Sequence, residues 1–276
     1  MKIGTLVSFR PGIDLKAKMR QISDNGMNCT QLVCWNMSMY TDENAQLVKE
    51  AVAETGVEVA ALWAGWSGPM EWNFVQGPFT LGLVPAAYRF KRLEELMKGS
   101  EFAEKIGVKT MATHVGFLPE VPSDPDFMGT VCALRYLTGC MKAKGQTFLF
   151  ETGQETPVTL LRCIQAIGND NVGINLDTAN LILYGKANPV DALDVFGKYV
   201  KNTHCKDGVY PTNGMELGRE VALGEGKANF PKVYEKLMAL GYDGPFIIER
   251  EISGEQQLKD IIKARDFILA LEKSAH

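Results

Sequence analysis

Four ionisable side chains in the second half of the chain each follow directly on a short apolar run. Glu151 closes Thr147-Phe148-Leu149-Phe150, Asp177 closes Val172-Gly173-Ile174-Asn175-Leu176, His204 closes Val200-Lys201-Asn202-Thr203, and Glu249 closes Phe246-Ile247-Ile248. Such runs belong in a core, and charges that reach a core are almost always paired. Three carboxylates and an imidazole brought together repel unless something positive sits between them, and a divalent cation replaces that repulsion with coordination. Three oxygen donors and one nitrogen suit Mn²⁺, Mg²⁺ or Co²⁺ better than a thiolate-based structural zinc site. Any one of the four could be a strand-end side chain satisfied by loop amides. For all four at equivalent positions, that reading is the weaker one.

The elements that would position them alternate along the chain. Apolar or β-branched runs at 2–9, 29–35, 57–63, 109–114, 147–151, 172–177, 200–204 and 245–249 read as strands. Helical periodicity and helix formers fill 14–25, 42–55, 86–106, 126–144, 157–167, 189–196, 231–240 and 254–274. Gly26, Gly56, Gly107, Gly145 and Gly241 each stand just past a predicted helix, where the left-handed conformation stops it before the next strand. Strict alternation implies a parallel sheet with helices outside. Eight units over 276 residues, with no linker or composition break, favour an α/β fold of one (β/α)8 TIM barrel spanning 1–276. A nine-strand open sheet with one strand misread is the alternative. In a barrel, the four residues fall at the carboxyl ends of strands, where barrel chemistry sits.

Composition narrows the partners. The chain is 46% hydrophobic and 22% charged, which excludes disorder and collagen-like structure. Lys+Arg 29 against Asp+Glu 33 gives a net charge of -4, with no broad electrostatic footprint for nucleic acid or an anionic membrane. No window approaches the ~18 apolar residues of a membrane helix, and the first residues do not read as a secretory signal. Six cysteines without a C-x-x-C pair read as reduced thiols of a cytoplasmic protein. Small molecules are the expected partners.

The motifs around the four residues, Phe150-Glu151-Thr152, Leu176-Asp177-Thr178, His204-Cys205-Lys206-Asp207 and Ile248-Glu249-Arg250-Glu251, resemble the metal-ligand motifs of the xylose isomerase-like TIM-barrel sugar (phosphate) isomerases and epimerases. The stretch from Leu223 to Phe230, followed by Leu240-Gly241-Tyr242-Asp243-Gly244-Pro245, is similar to that family's loop and helix before the last strand. The resemblance spans essentially the whole chain. It implies one divalent metal ion held by Glu151, Asp177, His204 and Glu249, with Mn²⁺ first and Mg²⁺, Co²⁺ or Zn²⁺ as alternatives. It also implies proton transfer next to a carbonyl through an enediolate, with Glu151 and Glu249 as the catalytic pair, on a carbohydrate substrate. For assembly it implies a homo-oligomer, dimer or tetramer. The chain departs from the ketose 3-epimerase branch at Asn180, where a His commonly stands; Asn can bind a hydroxyl but cannot titrate.

Further residues are assigned to the substrate. His114 ends the fourth predicted strand and would meet a substrate oxygen, against a reading as a mouth side chain held by a carboxylate. Lys206 shares a strand face with His204, and would steady an enediolate oxygen or pair with Asp207 or Glu225. Arg219 and Lys227 flank the Leu223-Gly224-Glu225-Gly226 loop and could meet an anionic substrate, though solvated loop cations are the commoner case. No G-x-x-x-x-G-K-[ST] phosphate cradle is present. Trp35 and Trp63 end predicted strands, while Trp66 and Trp72 lie in the long segment 64–85; together they would form a wall for the apolar face of a sugar or anchor the loop. The principal alternative is a metal-dependent lyase or dehydratase acting on a keto-sugar or keto-inositol, because fold and ligands do not fix the reaction. An endonuclease IV-like DNA-repair enzyme is more distant, since its multi-zinc site needs many histidines and only His114, His204 and His276 are present. A non-catalytic sugar-binding barrel is disfavoured by the intact set of four.

Overall fold

The structure, a computed structural model, describes residues 1–274; His276 lies outside them. Ten strands and ten helices follow in chain order: β1 (Ile3–Ser8), α1 (Leu15–Asp24), β2 (Cys29–Cys34), α2 (Asp42–Thr55), β3 (Glu58–Ala64), α3 (Gly77–Thr80), α4 (Ala86–Lys105), β4 (Thr110–Thr113), α5 (Pro125–Ala143), β5 (Thr147–Glu151), α6 (Pro157–Ile167), β6 (Val172–Asp177), α7 (Asn180–Leu183), α8 (Pro189–Phe196), β7 (Val200–Cys205), β8 (Asp207–Val209), β9 (Arg219–Val221), α9 (Phe230–Ala239), β10 (Phe246–Ile248) and α10 (Glu255–Ser274). Eight of the strands close into a barrel in the order β1-β10-β7-β6-β5-β4-β3-β2, every neighbouring pair parallel. This is a (β/α)8 TIM barrel, and the open nine-strand sheet is excluded.

Local chemistry sets the element ends. Thr41 and Thr156 cap α2 and α6 by accepting from the N–H groups of Asn44 and Thr159, satisfying donors that a helix start leaves without partners. At the other end of α2, Gly56 takes φ 69°, and the four other glycines expected to stop helices also have positive φ. Each helix then turns a stripe at spacings of three and four toward the barrel: Leu15, Met19 and Ile22 on α1, Leu160, Cys163, Ile164 and Ile167 on α6, Val233, Tyr234 and Leu237 on α9. Each large apolar side chain so buried contributes about 1.5–3 kcal/mol. No described helix is long and apolar enough to cross a membrane.

Besides the four-residue α3 within the segment 64–85, two features escape the periodic pattern. β8 and β9 form a separate antiparallel hairpin over the mouth, and α7 is a single turn directly after Asp177. Elements of three or four residues are too short for a period to register.

Strand register brings the four predicted residues to one end. Asp177 and His204 are direct neighbours across β6 and β7, while Glu151 stands opposite Asn175, two residues before Asp177 and therefore on its face. His204 pairs with Ile247, two residues before Glu249.

Candidate active site

One ligand atom from each of Glu151, Asp177, His204 and Glu249 lies within 4.8 Å of every other. His204 Nδ1 is 3.0 Å from Glu151 Oε1, 2.9 Å from Glu249 Oε2 and 3.7 Å from Asp177 Oδ2. Nonetheless His204 Nδ1, Asp177 Oδ2 and Glu249 Oε2 are buried without a hydrogen-bond partner. Close approach without aligned hydrogen bonds is what donors aimed at a shared point produce. Buried polar atoms left so cost ~1–3 kcal/mol each unless something fills that point. The residues present therefore fit a divalent cation with oxygen and nitrogen donors.

In Asp177, Glu151 and His204 the second polar atom is already committed, which orients the one that faces the cluster. Asp177 Oδ1 accepts from the N–H groups of Ala179 at 2.8 Å and Asn180 at 2.7 Å, at the start of α7, leaving Oδ2 facing the cluster. Glu151 Oε2 accepts from the indole Nε1 of Trp63, and its Oε1 lies 3.4 Å from His114 Nε2. Gln31 of β2 offers its Oε1 to His204 Nε2. That contact favours the tautomer with the proton on Nε2 and the Nδ1 lone pair free, the arrangement a metal-binding histidine needs. The sequence signal for Gln31 was a polar residue inside a strand of otherwise apolar and small residues, Cys29-Thr30-Gln31-Leu32-Val33-Cys34.

The clustered charges perturb one another strongly. Burial pushes Glu151 and Glu249 up, but His114 and His204 for the first, and Lys206 and His204 for the second, outweigh it and hold both below the usual carboxylate range. In Asp177 burial prevails and its carboxyl is raised, despite Lys206 and His204. Burial pulls His204 down, yet Glu151 and Glu249 raise it well above its ordinary value.

Above the cluster opens a cavity of about 400 Å³ lined by Leu6, Val33, Trp35, Trp63, Trp72, His114, Glu151, Asn180, Leu183, Tyr184, His204, Leu217, Glu249 and Glu251. Asn180, His114, Trp35 and Trp63 are among the residues that line it. Trp35 packs on Trp63 at 4.7 Å and edge-on to Trp66 at 5.4 Å and Trp72 at 6.3 Å, between ring centroids. Gly65 permits this, since a Cβ there would come within 2.5 Å of the Trp35 ring.

The tryptophans divide by position. Trp35, Trp63 and Trp72 line the cavity, whereas Trp66 is fully buried beneath the loop. The fastening is Arg92 of α4, which no sequence pattern singled out. Its guanidinium donates to the carbonyls of Ser67, Pro69, Thr80 and Gly82 at 2.7–3.0 Å and lies 4.1 Å over the Trp66 ring. Glu95 accepts from the Ser67 N–H at 2.8 Å. The long segment is pinned by charge-assisted bonds to its own backbone.

Two expectations need correction. Arg219 is exposed and lines a separate outer cavity with Glu220, Arg250 and Asp260, because the β8–β9 hairpin turns its side chain away from the mouth. Lys206 is buried and is not among the residues lining the cavity; its Nζ lies 3.0 Å from Glu251, 3.5 Å from Glu249 and 3.6 Å from Asp177. It pairs with neither Asp207 nor Glu225. Asp207 instead accepts from the N–H groups of Gly208, Gly224, Gly226 and Ala228 at 2.8–3.0 Å, holding the loop before α9. Glu225 pairs with Lys263 at 2.7 Å.

The loop leaving Glu151 carries one more buried acid. Glu155 is 4% exposed with Oε1 unpartnered, and burial pushes its carboxyl up to about 8. In the unfolded chain it ionises near 4.5, so the folded state holds the extra proton between the two values. Its contribution to stability is fully present below pH ~4.5 and is lost as pH rises through about 8, a difference of up to ~5 kcal/mol. Glu155→Gln should therefore melt like the wild type near pH 5 and at a higher temperature than it above pH 8. Equal melting temperatures at both would remove the buried proton from the account.

These features define a TIM barrel whose carboxyl-end mouth gathers three carboxylates and an imidazole beneath an aromatic-walled cavity. The chain belongs to the xylose isomerase-like TIM barrel family, which matches it over residues 19–271. A crystal structure of a xylose isomerase domain protein from Planctomyces limnophilus superposes with a TM-score of 0.92 at 33% identity, covering 99% of this chain and 97% of that one. The chain is also similar to an L-ribulose-5-phosphate 3-epimerase of Salmonella paratyphi B, 25% identical over 86% of this chain and 80% of that protein. An inosose dehydratase of Lacticaseibacillus casei is 28% identical over 44% of this chain and 42% of its own length.

Proposed function

We propose that this protein is a divalent-metal-dependent sugar isomerase or epimerase, its described residues forming one domain, that moves a proton next to the carbonyl of a keto- or aldo-sugar. The observation that carries it is the convergence of four ligand atoms within 4.8 Å at the floor of the cavity. Glu151, Asp177, His204 and Glu249 would hold the ion, Mn²⁺ first and Mg²⁺, Co²⁺ or Zn²⁺ next. When bound it supplies positive charge that polarises the carbonyl and favours the enediolate.

The side chains do the rest. Glu151 and Glu249 remove and return the carbon-bound proton. The Trp63 N–H holds Glu151 by one oxygen, so that its other oxygen faces the cluster. His114 and Asn180 offer polar atoms to sugar hydroxyls, and the tryptophan wall takes the C–H face of the ring. Lys206 offsets the carboxylate charge from below. A second reading, a lyase or dehydratase on a keto-sugar or keto-inositol, starts with the same proton removal and is supported by the likeness to an inosose dehydratase.

The test is the metal content of the purified protein, followed by deuterium uptake from D₂O into a panel of ketoses and aldoses. About one ion per chain and exchange at a carbon next to a carbonyl are expected. Loss of water from the substrate instead would select the lyase. No retained ion after incubation with Mn²⁺ would end the metal-dependent reading.

A further inference from the structure

The central cavity offers an anionic substrate no lysine or arginine side chain. None of the described residues lining it is Arg or Lys, while Glu151, Glu249 and Glu251 all line it. Arg219 is on the outer surface, Lys227 is exposed, and Lys206 is buried among carboxylates. Arg10 and Lys18 are exposed on an adjoining groove, where Glu249 and Glu251 stand between them and the cavity lining that the two share with Leu6. Arg250 in that groove is already held by Glu220 at 3.0 Å and Asp260 at 2.7 Å.

Backbone donors near the mouth are spent as well. Barrels commonly hold phosphate with the loops after their last strands and the N-terminus of a short helix. Here the N–H groups of Gly224, Gly226 and Ala228 are taken by the chain's own Asp207 carboxylate. Gly226 cannot carry a side chain without losing this, because a Cβ would come within 2.2 Å of Asp207 Oδ1. The N–H groups entering α7 are likewise taken by Asp177.

We propose that the cavity takes an uncharged substrate, a free sugar or cyclic polyol ketone without a phosphate group, and that Glu251 at its rim enforces the choice. This rests on the isomerase or epimerase reading above. A phosphate ester would bring about -1.5 to -2 charges at pH 7 towards the Glu251 carboxylate, with no lysine or arginine in the lining to meet it. Glu251 is the one carboxylate of the cavity outside the four-residue cluster, and its side chain is 58% exposed, placed to meet a substrate on entry.

The test pairs free sugars and keto-polyols with their phosphate esters on the Mg²⁺-loaded protein. Quenching of tryptophan fluorescence reports binding through the aromatic wall, and deuterium uptake reports turnover. Free compounds should bind about tenfold or more tightly than their phosphates at low salt, and Glu251→Gln should narrow that gap. A phosphate bound or exchanged as well as its parent overturns the proposal. An unchanged gap in Glu251→Gln removes that residue's part. Selective quenching by free compounds without exchange of any would sink the isomerase reading while leaving the charge preference standing. Neither quenching nor exchange with any compound would overturn both.

Discussion

Glu151→Gln and Glu249→Gln should each lower proton exchange by on the order of 10²–10⁴-fold at saturating metal, with the fold unchanged. Glutamine keeps the volume and one acceptor oxygen, so the Trp63 N–H that bonds Glu151 retains a partner. What it loses is the capacity to take a proton. Because His114 and His204 favour the ionised form of Glu151, and Lys206 and His204 that of Glu249, a neutral glutamine forgoes that attraction, and melting temperature should hold or fall slightly. The measurement is deuterium exchange alongside thermal melting at several metal concentrations. Wild-type exchange in both variants would rule out the two-carboxylate mechanism. A loss restored by excess metal would reassign the residue from proton transfer to ligation.

Asp177→Asn and His204→Ala should weaken metal binding by at least ~10²-fold, beyond the 10–100-fold typical of residues that only support a ligand. The first is informative because the structure divides the two oxygens of Asp177. An asparagine can keep Oδ1 on the Ala179 and Asn180 N–H groups, at 2.8 and 2.7 Å in the wild type, preserving α7 and the cavity wall. It then presents an amide NH₂ where the unpartnered Oδ2 faced the cluster, setting a donor against the cation. Metal titration by calorimetry, with circular dichroism to verify folding, separates ligation from structural damage. Unchanged affinity in folded Asp177→Asn would take Asp177 off the ligand list.

Much of this site was legible in one dimension because its parts are local. A strand-end residue such as Glu151 or Asp177 is marked by the apolar run before it, and the glycine that ends the preceding helix places that run. His204 and Lys206 share a face because side chains alternate along a strand. The missing parts come from contacts that no period encodes. Gln31 meets His204 across 173 residues of sequence, and Trp63 meets Glu151 across 88. Arg92 resembles any other helix cation until its guanidinium is seen buried among four loop carbonyls.

The sequence by itself determined the eight-unit alternation, the strand ends that carry the four candidate ligands, and the mildly acidic charge balance. These follow from periodicity and composition, which survive in any order of packing. Only the tertiary structure decided which polar atoms remain free to bind. Closure of the barrel turned Lys206 inward to neutralise carboxylates, turned Arg219 out to solvent, and spent the Gly224–Ala228 amides on Asp207. Each outcome depends on which partner is nearest once the chain has closed, and burial sets its energy: a carboxylate met within ~4 Å inside the barrel outweighs any preference readable from a residue and its neighbours in sequence.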